Sequence, residues 1–311
     1  MKRLLHFKYF FYASILLAAI FLYANGYFQP VEIASWPWLV ASFLALIGGF
    51  GVLAWVWLRL LLRGGLAATY ADAFISTNLT AMAKYVPGKV MLLHGVTAWL
   101  HDRRGLSRKQ SGAVFVMYNL LYVAAGVLIG ALLLPGLDDQ MQLWYALALG
   151  VVALGFVLLN PLLHLGGRLL DRIRGTSSGS ELTRVNVGLS AVLGIMLVWG
   201  LWGGGMALLI AALHGSFPPW SVMFAYPLSV GLGTLAIFAP GGIGVRESVL
   251  GFWLVQLGYE PAFAATVSAV SRLWFLSGEV TGLLIAMGWD RRLKKQRVNH
   301  SAGVDQSAEA S

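Results

Sequence analysis

The chain has 311 residues, 58% of them hydrophobic and 11% charged, with a formal net charge of +9. Soluble domains average about 45–50% apolar and about 25% charged residues, so a water-soluble fold is excluded. Without a single cysteine, disulfides, thiolate chemistry and thiolate metal sites are excluded as well.

In chain order, the gaps Lys8–Glu32, Glu32–Arg59, Lys109–Asp138 and Asp139–Arg168 hold no acidic or basic residue except His164. Each exceeds the roughly 20 residues that cross about 30 Å of hydrocarbon. Strand-like alternation is absent, so helices are the remaining spanning element. Spans are predicted at 9–27, 37–62, 112–134, 143–165, 185–213 and 262–289. The first is read as an uncleaved helix, since no small-x-small cleavage site follows it. Basic residues such as Arg59, Arg63, Arg103, Arg104, Arg168, Arg291 and Arg292 flank these spans. Positive-inside bias explains them better than nucleic-acid binding, and it places both termini in the cytoplasm. Trp36, Trp38, Trp55, Trp57, Trp144, Trp220 and Trp289 fall near predicted helix ends, where indoles favour the interface.

Two stretches are broken. Residues 71–86 and 89–100 flank Pro87-Gly88, with Asp72, Lys84 and Lys89 embedded, and at 1.5 Å per residue the arms reach only roughly 24 Å and 18 Å. Basic residues on both sides return this stretch to the face it left, as a re-entrant hairpin. The second, 220–258, breaks at Pro240-Gly241-Gly242 and belongs to the opposite face. Paired broken segments of opposite orientation point to an inverted-repeat transporter with a site near the midplane. The alternative is chance, since Pro-Gly breaks arise in membrane proteins without a repeat.

The expected fold is therefore all-α: a polytopic helical membrane protein with about six full spans plus two Pro-Gly-broken re-entrant hairpins of opposite orientation. Residues 1–290 form a single transmembrane domain, with a first half at 9–167, a basic Gly/Ser linker at 168–184 and a second half at 185–290. Residues 291–311 form a basic, then disordered, cytoplasmic tail. The expected location is a bacterial-type inner (plasma) membrane.

Arg246 and Glu247 follow the second break, and Arg272 and Glu279 lie seven residues apart in the last span, on one helical face. A mid-membrane charge costs about 2.5–3.5 kcal/mol, so four unpaired ones would cost on the order of 10 kcal/mol. They are paired or hydrated. Either Arg246 with Glu279, or Arg272 with Glu247, locks the hairpin to the last helix, or the four line a polar cavity that meets a ligand. Gly241, Gly242 and Gly244 leave amide donors accessible at a helix start, and Lys84 and Lys89 add cations, which suits a phosphate headgroup. GxxxxGK[ST] is absent, and there is no nucleophile elbow of GxSxG type, the match GTSSG at 175–179 falling in the Gly/Ser linker. His94, His101, His164 and His214 lack metal-ligand spacing. No catalytic residue, metal or cofactor is expected.

YVPGKV at 85–90 and APGGIGVRE at 239–247, with an Arg and a Glu in the last helix, resemble the lysylphosphatidylglycerol synthase transmembrane family, over about residues 10–290. The resemblance implies a flippase-like region linked to lipid modification and movement. It carries over to Pro87, Gly88, Lys89, Pro240, Gly241, Gly242, Gly244, Arg246 and Glu247. Lys84, Arg272 and Glu279 are added from their position in apolar sequence. No soluble synthase domain is present, so the aminoacyl-tRNA-dependent step of the fused relatives is not expected. The expected function is a carrier of a phosphate-bearing lipid: an anionic phospholipid, an aminoacyl-phospholipid or a polyprenyl-linked glycolipid. The alternatives are a lipid-modifying transferase using Glu247 and Glu279, and a non-catalytic scaffold of a glycolipid pathway. Expected partners are membrane lipids with anionic headgroups and enzymes of lipid or glycan biosynthesis.

Overall fold

The computed structural model describes residues 32–85, 90–130, 187–236 and 239–309 and the single positions 147 and 150. The expected spans at 9–27 and 143–165, the 168–184 linker, and Pro87, Gly88 and Lys89 lie outside the described residues. The described elements are α1 (Trp36–Arg63), α2 (Tyr70–Thr80), a 3₁₀ turn (Ala81–Tyr85), α3 (Val90–Arg104), α4 (Arg108–Ile129), α5 (Leu189–His214), α6 (Val222–Leu235), a second 3₁₀ turn (Pro240–Gly242), α7 (Val245–Gln256) and α8 (Pro261–Glu309). No strand occurs among them. Helices α1, α4 and α5 and the stretch Pro261–Gln296 of α8 are long and apolar enough to cross a membrane. The protein is a multi-pass helical membrane protein.

Helix α4 begins four residues before the expected start at 112, because Ser107 caps it by accepting from the Gln110 amide at 3.3 Å. A polar first turn is invisible to hydropathy but satisfies an amide the helix leaves open. The backbone of α8 stays helical to Glu309, through residues the sequence assigns to a disordered tail.

Helices α1 and α5 share the most extensive helix–helix interface. Lipid tails are as apolar as the helices, so association depends on close packing and interhelical hydrogen bonds. Both are present. Gly49 leaves room for the Trp202 indole, which donates to the Leu46 carbonyl at 3.1 Å, and Ser42 donates to the Gly205 carbonyl at 2.7 Å. Trp36 and Trp220 are exposed, as expected of interfacial rings, but Trp57 is not. Its side chain is fully buried and donates to Ser76 of α2 at 3.3 Å, so it joins two helices instead of marking an interface.

Helix α2 is short and polar yet sits inside the bundle. It satisfies itself: Thr77 and Asn78 donate back to the carbonyls of Ala73 and Phe74, and Thr80 donates to that of Ser76. Such back-bonding removes the cost of bringing hydroxyls and amides into an apolar setting. Opposite Asn78, Gly282 of α8 has no side chain to keep the two helices apart.

Helices α2 and α3 are tied to each other by charge. Asp72 closes a capping box with Thr69, accepting from its amide at 2.8 Å, and pairs with Arg104 of α3 at 2.7 Å. Burial alone pushes the Asp72 carboxyl up. Hydrogen bonds from Arg104 and Thr69, with the charge of Arg104, outweigh that and leave it below its ordinary value. The adjacent Arg103 reaches α8, pairing with Asp290 at 3.1 Å.

Candidate functional site

Helices α6 and α7 lie side by side around the second break. Pro227 inside α6 cannot donate to the Met223 carbonyl, and that freed carbonyl lies against Gly203 of α5, where a Cβ would collide with it. Beyond α6 the chain turns sharply. Gly241, Gly242 and Gly244 all have positive φ, at 61°, 72° and 86°, which other residues reach only with strain. Gly242 has a further reason to be glycine: a Cβ there would stand 2.7 Å from the Gly233 carbonyl oxygen.

Helix α7 then starts at Val245, and the Glu247 carboxylate accepts from the Gly244 amide at 2.6 Å. A carboxylate thus already occupies part of the positive helix end that the sequence reserves for a ligand anion.

Arg272 of α8 closes the break from the side. Its Nη2 donates to the Gly241 carbonyl at 2.8 Å, and its Nε lies 3.8 Å from Oε1 of Glu247. Of the two pairings expected from sequence, Arg272 with Glu247 is therefore formed. Both side chains keep partial access, at 17% and 27% exposure.

Arg246 stands behind them. It is 8% exposed and donates to the Tyr226 hydroxyl at 3.0 Å, with its guanidinium carbon 4.9 Å from the centroid of the Phe275 ring. Its methylene stem lies in the space left by the missing side chain of Gly233. Cation–π attraction and one strong hydrogen bond compensate a charge held away from water. Glu279 is buried at 1% exposure, one turn along α8 from Phe275.

The turn that follows α2 approaches the second break. Cα atoms of the turn Ala81–Tyr85, which contains Lys84, come within 8 Å of those of Pro240–Gly242. The structure thus gathers Gly241, Gly244, Glu247 and Arg272 at one point and sets Arg246 in an aromatic cage beside it. Tyr226, Phe275 and Gly233 were not legible as site residues. The signal lay in Arg246 itself, since a buried arginine demands an acceptor and Tyr226 is the one tyrosine of the preceding arm.

A family model described as the lysylphosphatidylglycerol synthase TM region matches residues 10–276. The chain belongs to this family. No curated protein and no solved structure matches it. As a member of the lysylphosphatidylglycerol synthase TM region family, it is a membrane protein of lipid biosynthesis or flipping. The family match covers both breaks and Arg272 and stops short of Glu279.

Proposed function

We propose that this protein carries a phosphate-bearing lipid across the inner membrane, with the headgroup held where the Ala81–Tyr85 turn meets the second break. The observation that carries this reading is the approach of the Ala81–Tyr85 turn to the Pro240–Gly242 turn, since each interrupts a pair of helices too short to cross. Helices α6 and α7, of 14 and 12 residues, reach only roughly 21 Å and 18 Å against about 30 Å of hydrocarbon. They form a re-entrant hairpin, and the first hairpin enters from the other face in an inverted repeat. Broken helices of this kind put polar backbone at mid-membrane only where it lines a cavity or is buried in protein.

The chemistry follows from the ions already there. A headgroup phosphate offers the Arg272 guanidinium two oxygens for the bidentate pairing that a carboxylate makes. It displaces Glu247 from Arg272, and the carboxylate remains on the Gly244 amide. Releasing the lipid restores the original pair. Arg246 raises the local positive potential, and Glu279 balances it. The sequence has no nucleotide-binding loop, so an ion gradient or lipid turnover drives the cycle.

The test is reconstitution in liposomes with headgroup-labelled anionic phospholipid and polyprenyl-phosphate lipids, read by accessibility of the label to a membrane-impermeant quencher. The wild type moves at least one of them, and Arg272→Gln moves it at least about tenfold more slowly. Absence of movement for every lipid class would sink the carrier reading.

A further inference from the structure

The polar end of α8 carries a second feature. A groove of about 450 Å³ runs along one face of that helix, lined among the described residues by Leu284, Ile285, Gly288, Trp289, Arg292 and Gln296 with one further leucine. Leu284, Gly288, Arg292 and Gln296 follow one another at four-residue steps and so share a face, about 6 Å apart along the axis. Read down the groove, the chemistry changes in a fixed order. Two exposed aliphatic side chains come first, at 62% and 45% exposure, then a glycine notch, an indole, a guanidinium and an amide.

That order is the depth profile of a phospholipid, with acyl chain, glycerol region and phosphate in turn. The wall is preformed, because the Trp289 ring packs on Phe74 and Tyr70 of α2, with centroids 6.0 and 6.2 Å away. The nearest acid is taken. Asp290 pairs with Arg103 and with Lys294, each at 3.1 Å, whereas Arg292 meets no carboxylate among the described residues. Arg291 and Lys295, both exposed, add to the positive field at this level.

From this we infer that the α8 groove is a docking site for one bilayer phospholipid with an anionic headgroup, its phosphate on Arg292, its glycerol region at Gly288 and Trp289, and one acyl chain on Leu284 and Ile285. The volume suits part of one lipid, not the whole molecule, so the remaining chain lies in the bilayer. The site shares no lining residue with the second break and does not depend on the carrier reading. It adjoins α2 through Trp289, which packs on Tyr70 and Phe74.

The test is native mass spectrometry of the full chain titrated with phosphatidylglycerol or phosphatidylcholine. Phosphatidylglycerol binds more tightly than phosphatidylcholine, and Arg292→Gln weakens it about fivefold, as expected for one cation near a headgroup. Gly288→Leu, which fills the notch, lowers binding of both lipids, and Arg291→Gln, on a neighbouring face, changes binding by about twofold or less. Equal loss from Arg291→Gln and Arg292→Gln would reduce the feature to a diffuse basic surface and overturn the site, as would absence of headgroup preference. The native chain has no cysteine, so Gly288→Cys can be paired with single cysteines introduced at 9–27. A disulfide formed there in the membrane would mean that the chain itself fills the groove, and the proposal falls.

Discussion

Arg272 donates to the Gly241 carbonyl at 2.8 Å across 31 residues of sequence, so the last long helix holds the second break by its backbone. That carbonyl belongs to a glycine at positive φ. The same guanidinium faces Glu247, which caps the helix that follows. One side chain therefore couples the shape of the break to the charge beside it.

Arg272→Lys keeps the charge and loses the planar fork that serves a carbonyl and a carboxylate together. The expected result is faster amide hydrogen exchange across 241–247 and a transport rate close to that of Arg272→Gln. Full transport activity in the lysine variant would show that charge alone suffices.

Gly242→Ala and Gly244→Ala separate backbone strain from collision. Both glycines have positive φ, but an added Cβ meets the Gly233 backbone only at Gly242 and open space at Gly244. Each substitution costs about 1 kcal/mol for the left-handed conformation, and Gly242→Ala about 1–3 kcal/mol more for the overlap. Thermal unfolding in detergent should rank Gly242→Ala well below Gly244→Ala, and equal midpoints would contradict the packing described.

Tyr226→Phe removes the hydroxyl that accepts from Arg246 and leaves the guanidinium caged by rings alone. The predicted loss is about 1.5–3 kcal/mol, the range for a hydrogen bond to a charged group. Arg246→Met in the same background should recover part of it, since an apolar stem of similar length fits the channel beside Gly233. If the double variant is less stable than Tyr226→Phe alone, Arg246 has a partner beyond the cage.

At the base of the first hairpin, the Asp72 carboxyl is held below its ordinary value despite burial that opposes this. A depressed folded-state value means that the pair stabilises the hairpin above the unfolded carboxylate range, near about pH 3.9, and that this is lost as pH falls through the folded value. Hydrogen exchange of α2 should be flat from about pH 5 to 8 after correction for intrinsic rates. Asp72→Asn should raise it throughout, and a cycle with Arg104→Gln should return a coupling on the order of 1 kcal/mol.

The long spans were legible because their cause is local. Length and apolarity suffice to place Trp36–Arg63, within one residue at each end of the expected 37–62, and Leu189–His214 beside the expected 185–213. The break at Pro240-Gly241-Gly242 was legible for the same reason, as proline and glycine act on their own residues. The start of α4 was missed because a serine cap and a charged first turn carry no hydropathy.

What the sequence determined by itself is that this chain crosses a membrane as helices, that an apolar stretch breaks at Pro240-Gly241-Gly242, and that the charges near that break need compensation. Composition, span length and the backbone limits of glycine and proline are properties of short stretches, and they do not wait for packing. Tertiary structure decided the partners. Arg272 and Glu247 are 25 residues apart and Arg246 and Tyr226 are 20 apart, and either arginine could have met either acid. The choice was made by where α8 runs past the break and by the glycine at 233, which leaves space for one arginine stem and so commits the other to the turn.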